Sequence, residues 1–311
     1  MVSKNKTTST LSFELPQRMD IRVDWAFHYI FSFDQHLVKI IRDLLEKDVE
    51  ILERLPNGLV VKKEMDKRSV FDVICKDKKT GEVFVFEMQT NYESDMPDRL
   101  FYYGGSLLHN QVKRGDTFYK INAVVICCIV REKVPHKGTV PAGKIFFDYK
   151  MREAETAEVF NGDKFSICFL ELARFENYLD KDSDLKDQWC WLFNNLANFA
   201  HRPEYLDPSF DEIIEDSETK RLSSSDQQEY MKALDIDEIT RERVFKGGYQ
   251  IGHMEGKEEG IAIGEAKGKA EGKAEDRAEL LSLLFASGMP GKEISERTKI
   301  SEEEIKAYLK K

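Results

Sequence analysis

The chain has 311 residues and a formal net charge of −10 at pH 7, and 41% of its residues are hydrophobic, 33% charged and 11% aromatic. This length allows one large domain with appendages or two smaller domains, and the aromatic content excludes a wholly disordered chain. The longest apolar run, residues 123–130, is too short for a membrane span, and five cysteines without a CxxC pair predict a reduced, cytoplasmic protein.

The first half of the chain predicts an α/β fold, with a core domain over residues 1–175. Residues 1–18 are polar and predict a frayed tail. The predicted elements that follow are helices over 23–33 and 35–47, strands over 69–75 and 82–89, a helix over 96–113, and strands over 121–131 and 165–172. The first two strands form a hairpin and the third is apolar throughout, which predicts a mixed sheet with helices on both faces.

An acidic helical segment is predicted over residues 176–246, and residues 215–228 within it predict a solvated connector. The negative charge is concentrated here, because residues 151–240 contain 9 basic and 22 acidic side chains, whereas residues 95–150 contain 9 basic and 5 acidic ones. The overall charge therefore does not exclude a polyanionic substrate bound by the first half of the chain.

Residues 247–276 contain a glycine-every-fourth repeat, which continues a spacing that starts at Gly248. Each interior glycine costs a helix about 1 kcal/mol relative to alanine, but Glu, Lys and Ala between the glycines favour helix. A close helix–helix contact would offset the glycine cost, so we predict a homo-oligomer formed through the C-terminal helices. The alternative is a flexible charged linker.

Residues 277–311 predict a small helix-turn-helix-like tail. Ser301 and Glu304 form a capping box for the last helix. A recognition helix presents its first residues to DNA, and here Glu302 and Glu303 would repel phosphate. A protein-contacting module is therefore favoured over a DNA reader.

The residues that indicate chemistry lie in the predicted hairpin. Asp72 and Glu87 each interrupt an apolar strand, and a buried carboxylate must be neutralised, paired or bound to a metal. Glu87 and Gln89 are two residues apart and share a face, which Asp72 can also join. Such oxygen donors suit Mg²⁺. The alternative is that these are edge-strand charges facing water, although their apolar neighbours favour burial on both faces.

The pattern of Asp72 followed by Glu87-x-Gln89 resembles the PD-(D/E)XK nuclease core, in its variant with Gln in place of the last Lys. More narrowly, the chain resembles the recombination-promoting nuclease and transposase family within that superfamily. This resemblance implies a restriction-endonuclease-like α/β fold with an all-helical C-terminal extension. Further matches to the family lie at residues 24–31, 99–103 and 111–115, and His28 stands where the family usually has Lys.

The resemblance implies a metal-dependent DNA endonuclease, linked to recombination or mobile elements, with Asp72, Glu87 and Gln89 as its catalytic residues. Asp72, Glu87 and the Met88 backbone carbonyl would hold Mg²⁺, with Mn²⁺ or Ca²⁺ as alternatives, and Gln89 would orient the attacking water. Asp24 would be an outer carboxylate that contacts a water ligand of the ion. The alternative role for Asp24 is a helix N-cap.

Arg99, Lys113 and Arg114 are the predicted nucleic-acid contacts, with solvated helix faces as the alternative. The partners expected from these assignments are DNA and further copies of the chain, without a membrane. A competing function is a catalytically idle DNA-associated or scaffold protein that keeps the nuclease fold. A transposase acting by strand transfer needs a specific reader of DNA ends, and the sequence indicates none.

Overall fold

The computed structural model describes residues 15–50, 52–55, 72–89, 92–301 and 303–305. Several predicted features lie partly outside the described residues, namely the tail at 1–14, the start of the first strand at 69–71, and the last helix at 302 and 306–311. The chain divides into two compact units, Met1–Arg241 and Glu242–Lys311.

The first unit is a six-stranded mixed sheet flanked by helices, which confirms the predicted fold. Its elements are α1 (Asp24–Ile30), α2 (Asp34–Leu45), β1 (Leu52–Arg54), β2 (Val73–Asp77), β3 (Val83–Gln89), α3 (Met96–His109), β4 (Val124–Val130), β5 (Phe146–Lys150), β6 (Phe165–Glu171), α4 (Leu185–Asn195), α5 (Asp211–Asp216) and the start of α6 (Ser224–Ala286). The strand order is β1-β2-β3-β4-β6-β5, with β3, β4 and β6 parallel and the other neighbours antiparallel. The short edge strands β1 and β5 were not predicted.

The central strand β4 is buried on both faces, which explains its uninterrupted apolar sequence. Cys127 and Ile129 pack on the face covered by α1, α2 and α4. Ile126 and Cys128 pack on the opposite face, together with α3. Because side chains alternate along a strand, both faces of β4 must be apolar.

The acidic segment folds back onto the start of the chain. The Met19 amide donates to the Ser217 carbonyl at 2.8 Å, and the Thr219 amide donates to the Gln17 carbonyl at 3.1 Å. Ser217 is fully buried and Thr219 is 8% exposed. The prediction of a solvated connector over 215–228 therefore fails at Ser217 and Thr219, which pair with a segment about 200 residues away that local composition cannot reveal, whereas residues 223–225 are exposed as predicted.

Helix α3 approaches the sheet closely at Gly104. A Cβ added there would lie 2.3 Å from the Phe165 ring and 2.9 Å from Ile126 Cδ1, whereas a Cβ at Gly105 would meet no heavy atom within 4 Å. We expect Gly104→Ala to lower the free energy of unfolding by about 1–3 kcal/mol, since the helix must move off the sheet.

Gly105→Ala is the matched control, because it removes the same helix-destabilising residue without a clash and should be neutral or stabilising by up to about 1 kcal/mol. Urea unfolding of both variants and the wild-type protein measures the difference. Equal midpoints for the two variants would show that α3 can shift without cost.

The second unit is helical. Helix α6 extends to Ala286, so the glycine repeat is helix and not a coil linker. After a turn at Gly288, which adopts a positive φ of 80°, α7 (Gly291–Thr298) packs Ile294 against Leu281 and Ile305. Within the described part of the chain, no helix is both long and apolar enough to cross a bilayer.

Candidate active site

Asp72 stands immediately before β2 and is held at the end of the β2–β3 hairpin. Val73 pairs with Phe86, so Asp72 lies opposite Glu87 at the next position of the ladder. Its backbone amide donates to Glu87 Oε2 at 3.2 Å, and its carboxylate Oδ2 accepts from the Met88 amide at 2.5 Å. These bonds fix the Asp72 carboxylate in a buried position, with 9% of the residue exposed.

Glu87 and Gln89 follow Val85 on the face of β3 that α3 covers. Both are half-buried, and Gln89 Nε2 donates to Glu87 Oε1 at 2.5 Å. Glu87 therefore accepts a hydrogen bond from the Asp72 backbone amide through Oε2 and one from the Gln89 side-chain amide through Oε1. The structure thus brings together the three side chains that the sequence analysis selected.

The Met88 backbone faces the same side of β3 as Asp72. The Gln89 carbonyl accepts from the Arg131 amide at 3.0 Å and so points towards β4. Because neighbouring peptide groups of a strand point to opposite sides, the Met88 carbonyl points away from β4, towards β2 and Asp72. This direction suits the ligand role predicted for that carbonyl.

Helix α1 adds two side chains to the site. His28 Nε2 lies 3.6 Å from Asp24 Oδ1 and 3.5 Å from Asp72 Oδ1. One ligand atom from each of these three residues lies within 4.8 Å of the other two, a separation that could accommodate a metal ion. The sequence analysis gave His28 no role, although its i,i+4 spacing from Asp24 places both on one helix face and could have indicated it.

Asp24 is in the first turn of α1 and not at its N-cap. The N-cap residue is Val23, and no side chain caps that end of the helix. The alternative role of Asp24 as a capping residue is therefore wrong. Its side chain is instead 79% exposed and faces His28.

Residues 21–240 match the family model of the PD-(D/E)XK nuclease family transposase. The chain belongs to this family. The match confirms the family that the sequence resembles, and it extends over the acidic segment as well as the sheet. No curated protein and no solved structure matches the chain. Membership implies a nuclease- or transposase-like role on DNA, in a family that usually uses a divalent metal ion.

The carboxylates of this family member repel one another in a partly desolvated site. Burial and the neighbouring Asp72 charge raise the pKa of Glu87 to about 8, against the opposing effects of its hydrogen bonds and of Arg99. Desolvation and repulsion from Asp72 also raise the pKa of Asp24. The contact with Asp72 raises the pKa of His28, so an imidazolium would supply some of the missing positive charge.

This charge imbalance is the structural reason why a cation fits the site. Asp24, His28 and Asp72 converge, Glu87 is hydrogen-bonded to the backbone of Asp72, and the half-buried Glu87 retains its proton more readily than an exposed acid does. A hard divalent ion prefers oxygen donors and would replace the repulsion between acids by attraction. The residues present therefore fit the metal that the family implies.

Arg99 is the predicted phosphate contact whose charge acts on Glu87. It is on the first turn of α3, where its Nη1 lies 2.8 Å from Glu93 Oε2. Its positive charge also lowers the pKa of Glu87, although burial and Asp72 outweigh that effect. A cation at this position borders the acidic site.

Lys113 and Arg114 lie beyond the end of α3. The helix predicted to reach residue 113 ends at His109, because the Gln111 side chain pairs with the Asn122 backbone in both directions, at 2.7 Å and 3.2 Å, and redirects the chain. Lys113 and Arg114 are both exposed on the turn that follows. They occupy solvated positions outside the cluster formed by Asp72 and Glu87.

Proposed function

We propose that this protein is a Mg²⁺-dependent DNA endonuclease that hydrolyses phosphodiester bonds, linked to recombination or mobile elements. The observation that carries the proposal is the joining of Asp72 and Glu87 at the end of the hairpin, where burial raises the pKa of Glu87 to about 8. Two carboxylates held this close without a matching cation are typical of a metal site.

Asp72, Glu87 and the Met88 carbonyl would hold the ion, with Asp24 and His28 beside them. A divalent cation supplies Lewis acidity, which polarises a phosphoryl oxygen and lowers the pKa of a water molecule. Glu87 must lose its proton to act as a ligand, so cation binding releases a proton near neutral pH. The Asp72 amide and Gln89 keep the Glu87 carboxylate oriented.

Gln89 would position the attacking water. Its Nε2 group donates to Glu87, an assignment that leaves Oε1 as the acceptor for a water hydrogen. A glutamine cannot supply the positive charge of the lysine that is usual in the superfamily motif. Arg99, next to the site, would supply part of that charge to the phosphate.

Nicking of supercoiled plasmid by the full chain tests the function. We expect nicked and linear products with Mg²⁺ and intact plasmid with EDTA. An absence of cleavage with Mg²⁺, Mn²⁺ and Ca²⁺ alike, together with retained DNA binding, would favour the idle scaffold.

We further propose that the chain forms a homo-oligomer through its C-terminal helices in a cytoplasmic setting. A Cβ at Gly264, Gly268 or Gly272 would meet no heavy atom within 4 Å, so these positions offer room for close approach of another helix. All five cysteines are free and buried, which supports a reducing compartment. Sedimentation of the full chain against a chain ending at residue 241 tests the oligomer.

A further inference from the structure

A cavity of about 410 Å³ lies between α3 and the strands β5 and β6. Its wall is mainly apolar and includes Phe101, Tyr149, Phe165 and Phe169. Phe101 is 62% exposed and Tyr149 is 49% exposed, so both rings reach solvent. A cavity of this size is within the usual range for small-ligand sites, and aromatic walls favour a flat, unsaturated group.

The Tyr149 hydroxyl at this cavity is fixed by a buried relay. His136 Nδ1 lies 2.5 Å from the Tyr149 hydroxyl, and His136 Nε2 lies 2.5 Å from Glu171 Oε1. Glu171 is fully buried and also accepts from the Val134 amide at 3.0 Å and from Arg174 Nε. The carboxylate can only accept, so His136 donates to it from Nε2, and in this tautomer Nδ1 accepts a hydrogen bond from the Tyr149 hydroxyl. The Tyr149 oxygen then remains an acceptor for an N–H group.

Helix α3 connects this cavity with the active site. The charge of Arg99 acts on Glu87, and the next two residues, Leu100 and Phe101, line the cavity. Pro97, one turn earlier, also belongs to the cavity wall. Tyr92 also lines the cavity and follows Gln89 by three residues, a chain length that spans at most about 11 Å. A strand bound at Glu87 can therefore place a neighbouring nucleotide at the cavity.

The charge around the cavity suits a polyanion. Residues 131–152, which include Val134, Tyr149 and Lys150 of the cavity wall, contain six basic and two acidic side chains. Arg131, Lys150 and Arg152 are in ion pairs with aspartates, and Lys133, Lys137 and Lys144 are exposed. Phosphates would be attracted to this segment, whereas the apolar interior would exclude them and accept a base. Cationic surroundings and an aromatic interior together distinguish a nucleotide from an apolar metabolite or a peptide.

We propose that the cavity holds one unstacked, amino-bearing base of the nucleic-acid strand bound at the active site. The base stacks on Phe101, and its amino group donates to the Tyr149 oxygen. The inference rests on the proposed function, because it takes the bound strand to be the nuclease substrate. Adenine, cytosine and guanine carry such an amino group, and thymine does not.

Single-stranded oligonucleotides that contain 2-aminopurine, mixed with the full chain in EDTA, test the proposal without cleavage. Stacking should quench the 2-aminopurine fluorescence on binding. Phe101→Ala should abolish the quenching and weaken binding about tenfold, the scale of one base–aromatic stack. Tyr149→Phe should retain stacking but lose several-fold of the preference for adenine over thymine oligonucleotides.

Tyr205→Ala is the matched control, because this aromatic residue is 46% exposed and lies in the acidic segment, away from the cavity wall. It should bind and quench like the wild-type protein, and thermal melts show whether each variant folds. If folded Phe101→Ala shows the same fluorescence and affinity as the wild-type protein and still nicks DNA with Mg²⁺, the cavity does not hold a base. The proposed endonuclease function would be unaffected by that result. Quenching by a wild-type protein that never nicks DNA would support the cavity and refute the endonuclease. No binding of any oligonucleotide would overturn both.

Discussion

Asp72→Ala and Glu87→Ala are each expected to abolish Mg²⁺-dependent nicking and to leave the chain folded. The Asp72 backbone amide donates to Glu87 Oε2 at 3.2 Å, and the Asp72 carboxylate accepts from the Met88 amide, so both acids lie at the same end of the hairpin. Loss of either one removes a ligand that no neighbouring side chain replaces with the same geometry. Electrostatic and metal-assisted stabilisation is usually the largest part of a nuclease rate enhancement, so the remaining activity should be close to background.

Plasmid nicking and thermal melts measure this result together. Mg²⁺ should stabilise the wild-type protein by mass action, by about 2.7 kcal/mol at a concentration 100 times its Kd. Both alanine variants should lose this stabilisation while retaining a cooperative melt. Asp182→Ala is a suitable control, since Asp182 is an exposed acid in the acidic segment, outside the site. Persistent cleavage by either Asp72→Ala or Glu87→Ala would contradict the assignment.

Replacement of Glu87 should also change the pH dependence of stability without a metal ion. Glu87 has a pKa of about 8 in the folded chain and an ordinary value of 4.5. Between these values the folded state holds a proton that the unfolded state has released, so the free energy of unfolding falls as pH rises through this window. Glu87→Gln cannot titrate and should lose that part of the slope in EDTA.

Gln89→Ala is expected to lower the cleavage rate by about two orders of magnitude, comparable to the loss of a positioned hydrogen-bonding group in other enzymes. It should keep the Mg²⁺-induced rise in Tm, because the amide orients Glu87 and water without neutralising charge. Gln89→Lys should retain or partly restore activity, since an ammonium group can contact the same phosphate.

Single-turnover nicking and thermal melts with and without Mg²⁺ separate these roles. An alanine variant with normal Mg²⁺ stabilisation and slow cleavage supports a water-positioning amide. If Gln89→Ala instead loses the Mg²⁺ response altogether, Gln89 is a ligand and the proposed role is incorrect. Normal cleavage by Gln89→Ala would show that Gln89 has no catalytic role.

The hairpin and its three polar side chains Asp72, Glu87 and Gln89 were predictable from the amino-acid sequence. Strand periodicity places Glu87 and Gln89 on one face, and the apolar flanks of Asp72 indicate a buried carboxylate. The apolar run of β4 likewise predicts a central strand covered on both sides. These features were predictable because their causes act between neighbours along the chain or across one turn.

The groups that join this hairpin from distant parts of the chain become apparent in the folded protein. His28 lies 3.5 Å from an Asp72 oxygen, although 44 positions separate the two residues, and Glu171 lies 2.5 Å from His136 on another segment. The short edge strands and the pairing of Met19 with Ser217 were equally hidden. Polar contacts of this kind depend on where helices pack on the sheet. That packing is set by the combined burial of many apolar side chains. A local sequence pattern therefore does not specify which polar groups are brought into contact.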